Sequence, residues 1–228
     1  VLRRKRSNQT CLERQKSLRG SSHVVFGLAG AFALDSVFHF SGAPLIGAST
    51  APGADQIIEK VVFFGFAAIG SLVPDIDNAR STLGQKLGPI SKGIQHIAGH
   101  RTIFHSLLGL ILTGAVVWGA QFGLGWLLLQ AGYVGTAHAL NVDLPPQEWV
   151  ASGAGIAFLG LLVGYFLHLV ADSLTEGGVP WLFPWRFRFG FPPNRNWRFK
   201  NGSVWEPVTL FVVCALVFVG IYFHVLTI

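Results

Sequence analysis

Residues 149–171 read WVASGAGIAFLGLLVGYFLHLVA, with no Asp, Glu, Lys or Arg among them. A helix of roughly 20 such residues spans the hydrocarbon core of a bilayer. Further apolar stretches lie at 23–40, 56–73, 103–130 and 205–227. The second is less clean at its start because of Glu59 and Lys60, and the third is long enough to tilt or break near Gly123 and Gly125. The apolar stretch 132–140 is either a loop or part of a bent third helix. Backbone polar groups in lipid need internal partners, which favours helices. The expected fold is therefore all-α, a polytopic membrane protein with about five transmembrane helices.

Composition agrees. Of the 228 residues, 51% are hydrophobic and 12% are charged, where a soluble domain carries about 25% charged residues. Nothing points to a second core, so residues 1–21 read as a basic cytoplasmic tail and 22–228 as one integral membrane domain. The net charge of +6 sits in the tail and in two later polar segments. That pattern suits membrane lipid with anionic headgroups, and no nucleic acid partner is expected. Cys11 lies in the tail and Cys214 in an apolar run, so neither a disulfide nor a cysteine-based zinc site is expected. The chain begins at Val1 and contains no Met, as expected of a non-standard start codon or a trimmed chain.

The basic residues orient the helices. Lys and Arg collect in cytoplasmic loops. The tail holds Arg3, Arg4, Lys5, Arg6, Arg14, Lys16 and Arg19. Loop 74–102 holds Arg80, Lys86, Lys92 and Arg101, and segment 172–204 holds Arg186, Arg188, Arg195, Arg198 and Lys200. Loops 41–55 and 131–148 hold none, and only Lys60 breaks the alternation. This places the N-terminus in the cytoplasm and the C-terminus outside, in the cytoplasmic (inner) membrane of the cell. The first run lacks a small-residue cleavage site and reads as a retained helix, not a signal peptide. Segment 180–200 interleaves Trp181, Phe183, Trp185, Phe187, Phe189, Phe191 and Trp197 with the arginines. It suits the headgroup layer, either as an anchor or as part of substrate binding.

That topology gathers most metal-binding side chains at cytoplasmic helix ends. His23 opens the first helix, and Asp75 and Asp77 in PDID close the second. His100 and His105 in HRTIFHS open the third, and His168 and Asp172 in HLVAD close the fourth. His168 and Asp172 share a helical face. Each piece has a plainer reading: a solvated helix end for PDID, an exposed or capping histidine, a structural His–Asp pair. Polar groups at membrane depth are expensive and face the protein interior. Neutral imidazoles with carboxylates suit zinc or another divalent metal. His23, Asp75, His105, His168 and Asp172 are the candidate ligands, and Asp77 could instead serve a ligand's outer shell. His96 is a reserve ligand, four residues before His100. Asp35, His39, His138 and His224 lie toward the outer side and rank lower.

In combination these motifs resemble the YdjM family, described as membrane-bound, metal-dependent hydrolases of the bacterial inner membrane. The resemblance runs through His23, Pro74-Asp75-Ile76-Asp77, His100-Arg101, Phe104-His105-Ser106, and His168 to Asp172 with Gly178 and Pro184. Gly202-Ser203 with Glu206 resembles the family's ending, so the likeness covers roughly residues 22–206. Phe104 stands where the family usually has Thr, and Thr102 where it usually has Gly. The resemblance implies a metal-dependent hydrolase-like domain over 22–228. It also implies distant kinship with the zinc-dependent phospholipase C and P1-nuclease group.

The expected activity is metal-assisted hydrolysis of a phosphoester, possibly a phospholipid substrate, at the cytoplasmic face. Asp77 or His100 would take a proton or orient a ligand, and Arg101 would hold a phosphate oxygen or simply set topology. A metal-free lipid phosphatase ranks low because Pro-Ser-Gly-His is missing, and an intramembrane protease is disfavoured without HExxH. The non-catalytic alternative is a transporter or regulatory protein with a structural metal or His/Asp cluster. Against transport, the polar residues cluster on one face and no inverted repeat is visible. Reporter fusions test the topology: positions near 45, 140 and 228 should report outside and those near 10, 90 and 195 inside. A cytoplasmic C-terminus would break the five-helix arrangement.

Overall fold

The computed structural model describes residues 21–38, 54–79, 81–98, 102–132, 153–185 and 187–198. Six α-helices lie within them: α1 (Ser21–Phe38), α2 (Ala54–Gly70), α3 (Thr82–Leu87), α4 (Pro89–Ala98), α5 (Leu107–Gln130) and α6 (Gly153–Ser173). Short 3-10 turns occupy Pro74–Asp77 and Arg195–Trp197. Among the described residues, four helical spans are long and apolar enough to cross a membrane: Ser21–Phe38, Ile57–Asp77, Leu107–Gln130 and Gly153–Ser173. The fold is thus helical and polytopic. The expected fifth span, 205–227, lies outside the described residues, as do the basic tail and stretch 133–140.

Two local readings change. The third span begins at Leu107, later than the apolar run, because Ser106 caps it by accepting from the Gly109 amide at 3.2 Å. It then runs unbroken past Gly123 and Gly125. In lipid no water competes for the backbone, so helical hydrogen bonding outweighs the weak propensity of glycine. The polar loop after the second span is also folded, with α3 and α4 packed near the Pro74–Asp77 turn. Ser81 caps α3 by accepting from Gly84 at 2.9 Å. Ser81 and Ser91 donate to the carbonyls of Asp75 and Ile76, each at 2.7 Å. These bonds fix the turn that carries the two aspartates.

The core is built around α6, whose span is 56% buried against 11% for α5. Its glycines make this possible. Gly160 lies against the Phe63 carbonyl and Gly164 against the Ala67 carbonyl, while Gly70 of α2 lies against the carbonyl of Leu161. A β-carbon at any of the three would overlap that backbone. Small residues four apart let membrane helices approach this closely. Helix α1 joins the pair: a β-carbon at Gly27 would come within 2.7 Å of Ser71 Cβ. Ala31, Phe63 and Ala67 are fully buried between these helices. On α5, Ile111, Val116 and Trp126 face outward, as lipid-facing positions would.

The glycine contacts give a stability prediction. Gly164→Ala should destabilise the protein in detergent by about 1–3 kcal/mol, the usual penalty of overpacking. Gly119→Ala, in the same type of helix but with open space around it, should be neutral or slightly stabilising. Thermal unfolding of both variants measures the difference. Equal effects would refute the close approach.

Candidate metal centre

Helix α6 carries Gly160, Gly164, His168 and Asp172 at steps of four, so they form one stripe. On α2 the opposing stripe is Phe63, Ala67 and then Ser71, just beyond the helix end at Gly70. The glycines set the helix separation, and one turn further along His168 meets Ser71. His168 Nδ1 lies 2.6 Å from the Ser71 carbonyl oxygen. A carbonyl only accepts, so Nδ1 carries the proton and Nε2 presents a lone pair in the neutral ring.

His105 arrives from the other side. The Ser106 cap holds it just outside α5, and Tyr165 of α6 donates its hydroxyl to the neighbouring Phe104 carbonyl at 2.5 Å. Its Nδ1 sits 3.3 Å from Asp77 Oδ2, an arrangement in which a carboxylate receives the ring proton. In the neutral ring its Nε2 then also presents a lone pair. The two Nε2 atoms are 3.4 Å apart. Asp172 Oδ2 lies 3.4 Å from that of His105 and 3.9 Å from that of His168. His105, His168, Asp77 and Asp172 are all buried.

Two lone pairs and a carboxylate directed at one point repel unless a proton or a metal ion lies between them. Two nitrogens bound to one tetrahedral zinc at about 2.0–2.1 Å each stand about 3.3–3.4 Å apart. The observed spacing fits that requirement. His23 stacks on His168 with ring centroids 4.0 Å apart, and its Nε2 lies 3.7 Å from Asp172 Oδ1. Its Nδ1 is buried with no hydrogen-bond partner among the described residues, a costly state that a ligand would relieve. Two overlapping groups have ligand atoms within 4.8 Å of one another: His23, His168 and Asp172, and Asp75, His105 and His168. Burial pulls the His105 pKa down, but the hydrogen bond to Asp77 and the charges of Asp172, Asp77 and Asp75 outweigh it. The net shift is upward, so this end of the cluster favours positive charge.

Residues 18–227 match the family described as YdjM inner membrane protein. The chain belongs to the YdjM family. The inner membrane protein YdjM of Escherichia coli K12 is 36% identical over 155 residues, covering 63% of this chain and 66% of that protein. The Shigella flexneri protein of the same name gives the same figures. YvsG of Bacillus subtilis 168 is 24% identical over 193 residues, covering 85% of this chain and 88% of its own. No solved structure matches the chain. With the four apolar spans, this makes the YdjM-family chain a multi-pass inner membrane protein.

Of the residues singled out by sequence, the fold brings together His23, Asp75, Asp77, His105, His168 and Asp172. His100 and Arg101 lie outside the described residues. His96 is exposed on α4, and Asp35 is buried on α1, three helical turns beyond His23. The Ser71 carbonyl and Tyr165 were not foreseen, since a backbone acceptor leaves no mark in a sequence. Of the stripe Gly160, Gly164, His168 and Asp172, only the last two were read from the sequence; small residues four apart are the signal that would have added the glycines.

The geometry fixes a tautomer. Protein labelled with ¹⁵N-histidine should show a ring protonated at Nδ1 and unprotonated at Nε2 whose signals vanish in His168→Gln. The opposite tautomer at His168 would remove the converging lone pair.

Proposed function

We propose that this chain is a membrane-embedded, metal-dependent hydrolase acting on a phosphoester, such as a phospholipid, at the cytoplasmic face. One observation carries the reading: the Nε2 atoms of His105 and His168 stand 3.4 Å apart beside Asp172. Both rings have their other nitrogen already engaged. His105, His168 and Asp172 would hold a divalent ion, zinc by donor type, with His23 and Asp75 completing the shell. When bound, such an ion acidifies water and polarises a phosphoryl oxygen.

The chain's own groups have separate tasks. Asp77, fully buried behind His105, orients that ring and strengthens it as a donor. The Ser71 carbonyl does the same for His168. The His23 side chain is 16% exposed against 1% for Asp172, so substrate approaches from the His23 side. Arg101 would fit a phosphate oxygen through its planar fork, and His100 would move a proton.

Metal analysis after chelator-free purification tests the proposal. Wild type should hold stoichiometric metal and cleave a phosphodiester or phospholipid. His168→Ala and Asp172→Ala should lose both while keeping helical content and monodispersity. Asp77→Asn should weaken metal binding about 10–100-fold without abolishing it. Wild type without metal would end the hydrolase reading. Metal without turnover across phosphoesters would favour a structural ion.

A further inference from the structure

The segment after α6 turns back over the end of the bundle that carries the cluster. Phe191 donates its amide to the Ser173 carbonyl at 2.8 Å, and Val179 and Phe189 exchange backbone hydrogen bonds at 2.8 and 2.9 Å. The Leu107 amide, otherwise without a partner within α5, donates to the Trp181 carbonyl at 3.0 Å. Trp181 Nε1 donates to Ser173 Oγ at 2.9 Å. Arg198 clamps the far side, donating to the carbonyls of Pro192 and Pro193 at 2.7 and 2.9 Å. The backbone is therefore well tied to α5 and α6.

Val179 and Trp181 pack inward, but most of the large side chains that follow do not. Trp185, Phe187, Phe191 and Trp197 are 72%, 65%, 67% and 74% exposed, and Phe189 and Leu182 join them. Arg188 and Arg195 are exposed among them. Residues 177–200 contain no Asp or Glu. An ordered backbone that displays large aromatics outward marks an interaction surface. The surface is attached directly to the ends of two spanning helices, at the level where a bilayer places its headgroups. Tryptophan with arginine is the composition that this layer selects, and an acid-free basic surface matches anionic lipid.

We propose that residues 181–185 and 187–198 form a platform that embeds in the headgroup layer on the site's side of the membrane and binds anionic phospholipid. Trp185, Phe187, Phe191 and Trp197 enter the layer between headgroup and acyl chain, and Arg188 and Arg195 meet lipid phosphates. Arg198 shapes the platform and does not contact lipid. This property stands apart from catalysis and holds whether or not the cluster binds an ion.

The test uses the full chain in nanodiscs of phosphatidylcholine, alone or mixed with phosphatidylglycerol. The tryptophan emission lost in Trp185→Phe/Trp197→Phe is the platform's signal. It should be quenched by lipids brominated near the headgroup end of the acyl chain and shielded from aqueous iodide. Free quenching by iodide would overturn the proposal, and so would shielding from both quenchers, which would mean that protein covers the surface. In mixed micelles, wild type should retain several-fold more phosphatidylglycerol than Arg188→Gln/Arg195→Gln by native mass spectrometry. Equal retention would overturn the anionic-lipid assignment. Both substitutions replace exposed side chains, and circular dichroism checks that the helices persist.

Discussion

Gly160 and Gly164 let α6 lie against the carbonyls of Phe63 and Ala67 on α2, and the cluster depends on that separation. At a larger distance His168 could not reach the Ser71 carbonyl. The ring would then be free to choose its tautomer, and no lone pair would be fixed toward His105 and Asp172. Dispersion and close backbone contact, not hydrophobic exclusion, hold helices together in lipid. The same contact that stabilises the fold therefore sets the chemistry at its end.

Electrostatics imposes the second constraint. Three aspartates gather around three histidines in a largely buried space. Buried carboxylates without compensation are strongly destabilising. Helix pairing thus brings together groups that need a proton, a cation or one another as partners. Asp77 and Ser71 take no place at the centre. They hold the rings from behind, and so convert flexible side chains into a fixed geometry.

The bundle also has a polar end that is more elaborate than loops between helices. The Pro74–Asp77 turn is tied by Ser81 and Ser91, while the segment after α6 is tied to Ser173 and to the start of α5. These bonds satisfy helix-terminal groups that would otherwise need water. Beside them, exposed tryptophan, phenylalanine and arginine face outward. One end of the molecule thus combines a buried polar cluster with a surface suited to lipid headgroups.

Much of this was present in the chain of letters. Apolar runs without charges indicate spans because hydrocarbon excludes unpaired polar groups. The distribution of Lys and Arg put His23, PDID, His105 and the His168–Asp172 pair on one side before any coordinates, and helical spacing placed the last two on one face. Other features depended on contacts between distant segments. The start of α5 at Leu107 came from the Ser106 cap winning over an apolar run that began earlier. The expected division of labour between Asp75 and Asp77 found its physical basis only in the contact of Asp77 with His105. The tautomer of His168 came from a backbone carbonyl on another helix, which has no residue signature. Sequence alone determined which groups share a membrane face, since solvent preference is local and additive along the chain. Tertiary structure alone decided which atoms converge, because that depends on distances between helix backbones set by glycines on both partners.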